Sequence, residues 1–259
     1  MLILAVETST LTGSVALVEA PLREDGSCGG EKILGERTLN LPGTHSERLM
    51  PSIDLLLQEA SLSIADVQGI AVAQGPGSFT GLRIGVSTVK GLAYALRVPV
   101  AGIPTLDALA HNVRFASSLI CPILDARKKE VYAALFRGDG EGRIAKISED
   151  WAVDPEDLCS RIAEKTIFLG NGIEIYEETI KKKLGPQALF APPEVSLPRA
   201  VNVARLSLPK FKNGLTTDIF SLTPTYVRRS EAEIHFENKE REKVSPETSF
   251  PKNTLFTSK

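Results

Sequence analysis

Between Ala73 and Gly102 the chain reads AQGPGSFTGLRIGVSTVKGLAYALRVPVAG, and no other stretch restricts the fold as tightly. A short apolar run, Gly69 to Gln74, stops at Gly75-Pro76-Gly77. Ser78 is a good helix N-cap, and a stripe at helical spacing then runs through Leu82, Gly85, Val86, Val89, Ala93 and Leu96. The pattern predicts a strand, a tight turn and a helix over Thr80 to Leu96. Gly81, Gly85 and Gly91 all fall inside that helix, where each glycine costs about 1 kcal/mol relative to alanine. Close packing is the natural compensation. Glycines four apart, with Ser87, Thr88 and Ala95 on neighbouring turns, let another backbone approach, from within the chain or from a partner. A phosphate-binding loop fits less well. Leu82-Arg83 follows Gly81 where a P-loop ends in lysine and serine or threonine, and Thr80 stands at the third glycine of G-x-G-x-x-G.

The rest of the chain arranges itself around this unit as two similar halves. Leu2 to Val6 and Ser14 to Val18 read as a hairpin with Glu7-Thr8-Ser9-Thr10 at its mouth. A glycine-rich loop, Gly26 to Gly30 with Cys28, leads to a third strand over Ile33 to Leu39. Thr44-x-x-Glu47 is a capping-box pattern that opens a helix with Leu49, Ile53, Leu56, Leu57 and Ala60 on its apolar face, and Pro51 should bend it or reset its start. Val98 to Ala101 is a short strand after the glycine-bearing helix. The second half has strands at Leu119 to Leu124, Val131 to Phe136 and Arg143 to Ser148, and Asp125 ends the first of them. A helix capped by Asp154-Pro155 runs to about Lys165, Ile167 to Leu169 is a strand, and Gly170-Asn171-Gly172 leads to a helix ending near Gly185. The class is α/β. Two duplicated βββ-αβα halves are the layout of the actin-like, sugar-kinase-like ATPase fold, here residues 1–104 and 105–229. The last helix, Pro198 to Leu208, is expected to pack back on the first half and to end before Pro209. From about residue 230 the chain is charge-dense and then Ser/Thr/Pro-rich, which predicts a disordered tail.

Composition removes several functions. Lys+Arg number 30 against 32 Asp+Glu, so no chain-wide positive field draws in nucleic acid. Lys181-Lys182-Lys183, Lys210, Lys212, Arg228 and Arg229 remain candidates for a local basic patch. Cys28, Cys121 and Cys159 are odd in number and lack C-x-x-C spacing, against both a disulfide framework and zinc. LILAV is broken by Glu7, and no apolar run nears the roughly 20 residues of a membrane helix, so the expected location is cytoplasmic, without membrane attachment. With His45, His111 and His235 scattered, no H-E-x-x-H present, and Ser9, Ser78 and Ser87 outside any G-x-S-x-G elbow, proteolysis has nothing to work with.

As a whole, GPGSFTGLRIGVSTVKGLAYAL resembles the signature of the bacterial TsaB (YeaZ) family, with Gly75, Pro76, Gly77, Ser78, Phe79 and Thr80 forming the signature turn; the likeness runs from LAVETST to PTYVRR near Arg228. That resemblance implies the actin-like fold and a non-catalytic accessory subunit. Its partner would be TsaD, which transfers a threonylcarbamoyl group from threonylcarbamoyl-adenylate to the adenosine 3′ of the anticodon in tRNAs reading codons that begin with A. It further implies work with the ATPase TsaE, a homodimer in isolation, tRNA contact only through the complex, and no cofactor, any nucleotide being held mainly by the partner. TsaD carries His-x-x-x-His after the stretch equivalent to PVAGIP; here Thr105 and Leu109 take those places, and His111 has Phe115 four residues on, so no catalytic residue and no metal is expected. The partner-facing surface would be the two helices Thr44 to Ala60 and Thr80 to Leu96, through His45, Glu47, Leu49, Ile53 and Leu57 on the first and Gly81, Arg83, Ile84, Gly85, Thr88 and Gly91 on the second.

Actin-like ATPases hold nucleotide between loops rich in aspartate and glycine. The corresponding stretches, Glu7-Thr8-Ser9-Thr10 and Asp125-Ala126-Arg127, lack flanking glycines, so with Gly170 and Gly172 they suggest a vestigial nucleotide cleft. The alternative is a small ATPase or phosphotransferase in which Glu7 and Asp125 face each other and hold Mg²⁺.

Overall fold

The computed structural model describes residues 1–20 and 30–228. The Cys28 loop, Arg229, His235 and the charged tail therefore lie outside the described residues. The first half contains β1 (Leu2–Glu7), β2 (Gly13–Glu19), β3 (Lys32–Leu39), α1 (His45–Glu59), β4 (Gly69–Gly75), α2 (Phe79–Leu96) and β5 (Val100–Pro104). After it come α3 (Thr105–Ala110), β6 (Leu119–Arg127), β7 (Glu130–Ala133), β8 (Phe136–Gly138), β9 (Ile144–Lys146), β10 (Trp151–Val153), α4 (Pro155–Ser160), β11 (Thr166–Leu169), α5 (Ile173–Leu184), β12 (Ala188–Phe190), α6 (Pro193–Ser196) and α7 (Ala200–Lys212).

The first sheet has strand order β3-β2-β1-β4-β5, antiparallel across β3, β2 and β1 and parallel across β1, β4 and β5. Apolar residues occupy both of its faces, as a sheet buried on both sides requires. Leu2, Leu4 and Val6 of β1 pack with α1 and α2, while Ile3 and Ala5 pack on α7 and on Ala108 of α3. Leu49, Ile53, Leu56 and Leu57 supply the buried stripe of α1, each worth roughly 1.5–3 kcal/mol of burial. α7 is tied to the sheet at its start: the Ala200 N–H donates to Ser14 Oγ (3.1 Å), the Val201 N–H donates to Glu36 Oε1 (3.0 Å), and Arg199 pairs with Glu36.

The second sheet repeats the plan, with order β10-β7-β6-β11-β12 and β8 and β9 continuing alongside. The duplicated α/β layout expected of the actin-like fold is thus present, with local differences. β7 and β8 keep one register on β6, from Ile123↔Ala133 to Ile120↔Phe136, interrupted at Ala134-Leu135. The third-strand position is shared by β9 and by Trp151–Val153, a strand the hydrophobic pattern missed because it is only three residues long. α4 stops at Ser160 rather than near Lys165, since the chain turns to bury Ile162. α7 starts at Ala200 and runs through Pro209 to Lys212; Pro209 sits in the last turn, where little of the helix remains to be disrupted. α1 likewise continues unbroken through Pro51, and Thr44 is its N-cap without a side-chain cap bond, so the expected capping box does not form there.

Beyond α7, residues 215–227 form a strap. The Thr217 N–H donates to Val100 O on edge strand β5 (2.8 Å), Leu222 is buried in the core beneath α1 and α2, and the Thr225 N–H donates to Gln74 O (2.6 Å). The strap closes the open edge of the sheet and flanks α2.

Candidate functional site

Three regions meet around the first β-turn: the β1–β2 loop, the α1/α2 pair above it, and a cleft on its other side. Glu7, Thr8, Ser9, Thr10 and Thr12 are all buried. The N-terminal turn of α2 clamps this loop. The Ser78 N–H donates to Ser9 O (2.6 Å), Thr8 Oγ1 donates to Gly81 O (2.8 Å), and Ser78 Oγ accepts from the Gly81 N–H (3.3 Å), so the expected cap is in place. A Cβ on Gly81 would overlap the Thr8 carbonyl oxygen, and one on Gly85 would overlap Thr8 Oγ1. α1 adds the contact of His45 Nε2 with Thr10 O at 2.7 Å, so His45 is a half-buried brace and not a freely exposed polar residue.

Glu7 ends β1 with no exposed surface. Its Oε1 accepts from the Ser9 N–H at 2.5 Å, but Oε2 and Ser9 Oγ are buried without partners. Burial pushes the carboxyl up to about 7, outweighing the Ser9 N–H bond that opposes it. Thr105 at the start of α3 is also fully buried, with its Oγ1 unpartnered.

The helix pair corrects the expected interface. Leu49, Ile53 and Leu57 belong to the core of the first sheet, and Gly81 and Gly85 face the β1–β2 loop; the period that marks these residues is that of an inward face. Glu47, Met50, Asp54 and Leu55 of α1 and Thr80, Arg83, Ser87, Gly91, Tyr94 and Ala95 of α2 point outward, with Ile84 and Thr88 half-buried. Beyond the backbone of its own helix and its two chain neighbours, nothing lies within 4 Å of where a Cβ on Gly91 would stand. Aromatic groups bracket this face. The Arg83 guanidinium lies 3.7 Å over the Phe79 ring and its Nε donates to Tyr226 Oη (3.3 Å), Phe79 and Tyr226 are 5.2 Å apart, and Tyr94 meets Phe220 edge-on at 6.5 Å. Lys90 Nζ donates to the Phe220 and Leu222 carbonyls, fixing the strap beside α2. Phe220 and Tyr226 went unread in the sequence because nothing local marks a residue that returns to a helix more than a hundred positions earlier.

A cleft of about 680 Å³ opens on the other side of the loop, lined by Thr10, Leu11, Thr12 and Asn40, by Asp125, Arg127, Gly170 and Asn171, and by Ile173, Glu174, Ile175 and residues of α6 and its flanks, among them Ala191, Glu194 and Pro198. Glu7, Thr8, Ser9 and Gly172 are not in its wall, so Glu7 and Asp125 do not share a site. The Asp125 N–H donates to Asn171 Oδ1 (3.1 Å), and its carboxylate takes the Arg127 N–H (2.9 Å) and lies 3.4 Å from the Arg127 guanidinium. Gly170 and Gly172 serve close packing on Ile123, whose carbonyl accepts the Gly172 N–H at 3.1 Å. With Asp125, Glu174 and Glu194 against Arg127 alone, the charged lining repels phosphate more than it attracts it. Among the described residues no group of three or more His, Cys, Asp or Glu could hold a metal.

The remaining candidates have structural partners. His111 Nδ1 contacts Asp107 O at 2.8 Å and burial holds its pKa down. Cys121 and Cys159 are free and buried, and burial raises both thiols. Lys181 pairs with Glu177 (2.6 Å), Lys183 pairs with Glu156 (2.7 Å), and Lys210 donates to Gly102 O (2.8 Å), so these three members of the basic patch are already engaged within the chain. Among the described residues no helix is long and apolar enough to cross a membrane.

Comparison with known proteins places these features in context. The family model described as TsaD, tRNA N6-adenosine threonylcarbamoyltransferase, matches residues 41–236. The tRNA threonylcarbamoyladenosine biosynthesis protein TsaB of Bacillus subtilis is 34% identical over 236 residues, covering 90% of this chain and 96% of its own. The Escherichia coli TsaB is 28% identical over 237 residues with the same coverage. Among solved structures, YeaZ from Pseudomonas aeruginosa superposes with a TM-score of 0.70 at 29% identity, covering 87% of this chain and 99% of that one.

Proposed function

Because the chain belongs to the TsaB family of tRNA threonylcarbamoyladenosine biosynthesis proteins, we propose that it is a non-catalytic cytoplasmic subunit that pairs with TsaD and activates it for threonylcarbamoyl transfer to tRNA. Pairing uses the outward face of α1 and α2, and the same face forms a homodimer when TsaD is absent. TsaE joins the assembled pair, and tRNA is held by the complex. The observation that carries this reading is Gly91: an exposed glycine inside an 18-residue helix, without a neighbour in its own chain, between the Phe79/Tyr226 and Tyr94/Phe220 pairs. A glycine there weakens the free helix and is useful only to something that comes close from outside. Partner docking then favours the arrangement of TsaD that is competent for transfer.

The alternative, an ATPase built on Glu7 and Asp125, loses its support with Glu7 inside the sheet and Asp125 held by Asn171 and Arg127. The decisive experiment supplies threonylcarbamoyl-adenylate and tRNA to TsaD, to this chain, and to both together with TsaE. Modification only where both proteins are present is expected; modification by this chain alone, or indifference of TsaD to it, overturns the proposal. Ser87→Trp on the outward face should weaken pairing tenfold or more, roughly 1.4 kcal/mol, with the thermal midpoint unchanged.

A further inference from the structure

We infer that the β1–β2 loop, Glu7 to Thr12, is a shared wall that couples the α1/α2 docking face to the cleft, with Thr8 and His45 as the positioning residues that carry the coupling. The inference rests on the pairing reading for its biological consequence, though the coupling itself is a property of this chain.

The loop has two occupied sides. Toward the helices, the Thr8 hydroxyl donates to Gly81 O (2.8 Å), Ser9 O receives the Ser78 N–H (2.6 Å), and Thr10 O meets His45 Nε2 (2.7 Å). Toward the cleft, Thr10, Leu11 and Thr12 form one wall opposite Asp125 and Asn171. The segment between these sides has no slack. All its residues but the exposed Leu11 are buried, the Thr12 N–H is held by Thr10 Oγ1 (3.1 Å) and the Ser9 N–H by Glu7 Oε1 (2.5 Å), and Gly81 and Gly85 let the helix sit directly on Thr8. Packed contacts of this kind shift together or not at all. A partner that moves the first turn of α2 or α1 therefore moves the cleft wall, and whatever occupies the cleft alters the affinity of the docking face by the same factor. A cleft that is poor for polyphosphate then still has a use, as the receiving end of a docking signal.

Native-state hydrogen exchange on the full chain tests this in two arms. In the first, without any partner, Thr12→Ala is introduced on the cleft side, where it removes the hydroxyl that meets Asn40 Oδ1 at 3.1 Å and touches neither helix. Exchange in the first turns of α1 and α2 is expected to rise about threefold or more. The rise should disappear when Thr8→Val is added and return with Thr8→Ser, which restores the hydroxyl. An unchanged α2 overturns the inference whether or not a partner exists. In the second arm TsaD is added to the wild-type chain and is expected to slow exchange in residues 9–12 and 170–175. Binding without that protection also overturns the inference. Failure of TsaD to bind removes the pairing reading, and the coupling then stands or falls with the first arm.

Discussion

On the inner face of α2, Gly81 and Gly85 press against Thr8 with no room for a methyl group; on the outer face, six residues beyond Gly85, Gly91 looks onto open space. All three weaken the isolated helix by similar amounts. The inner pair is repaid inside the chain, because their absent side chains let Ser78 and His45 hydrogen-bond to the β1–β2 loop and let the loop's Thr8 hydroxyl donate to Gly81 O. The outer glycine has no such internal reason. One helix thus uses the same residue type as a keystone on one side and as an opening on the other, and the difference can be forced to show itself by substitution.

The largest effect is expected at Gly85. Leucine there would drive its side chain into Thr8 Oγ1 and the buried loop behind it, and a hydroxyl held by Gly81 O inside a buried loop has few ways to move aside. Gly85→Leu should destabilise the fold by about 3 kcal/mol or more, seen as a fall in the denaturation midpoint and in soluble yield, before any question of pairing arises. A variant that folds normally and loses only its partner would place Gly85 on the outer face after all and break the comparison.

Glu7 probes what the inner face encloses. Its carboxyl is pushed up to about 7 from an ordinary 4.5, with burial the first cause. The folded state therefore prefers the protonated acid: the contribution is fully present below about pH 4.5, is lost as pH rises toward about 7, and stays lost above it. The size is roughly 3 kcal/mol. Glu7→Gln should leave stability nearly unchanged at pH 4.5 and exceed the wild type at pH 8. The difference between the two denaturation curves is the measurement, since it cancels the opposing carboxylates Asp66, Asp139 and Glu164, which are held below their usual range. A flat difference would mean that water reaches Glu7 and that the loop is looser than its contacts imply.

How far the sequence could be read follows the same division. The strand, turn and helix over Ala73 to Gly102 were legible because Ser78 and the 3.6-residue period are local signals, and the duplicated halves were legible because each repeats strand, acid, turn and strand. The inward or outward sense of α2 was not legible, since Gly81, Gly85, Ser87 and Gly91 put small residues on every side. Assigning Leu49, Ile53 and Leu57 to a partner overlooked that an amphipathic stripe at this spacing first covers its own sheet. Glu7 read as the mouth of a hairpin because it opens a polar run, yet Thr8, Ser9 and Thr10 beside it are buried as well, and only the arrival of α1 and α2 over the loop makes them so. The strap is the extreme case, joining Tyr226 to Phe79 and Phe220 to Tyr94 across most of the chain.

The smallest change is the most discriminating. Gly91→Ala adds a methyl group that meets nothing in this chain, in a helix where alanine is the better former, so it should stabilise the isolated protein by about 0.5–1 kcal/mol. If the outward face of α2 receives a closely packed helix, the same methyl group lies in the contact and should weaken pairing with TsaD, or self-association, by a similar amount. The two effects have opposite signs, so a general change in folding cannot mimic the pair of them. Thermal denaturation of the dilute chain and equilibrium binding by calorimetry read them separately. A rise in the midpoint with unaltered affinity would move the interface off this face, leaving Gly91 without a reason on either side of the helix.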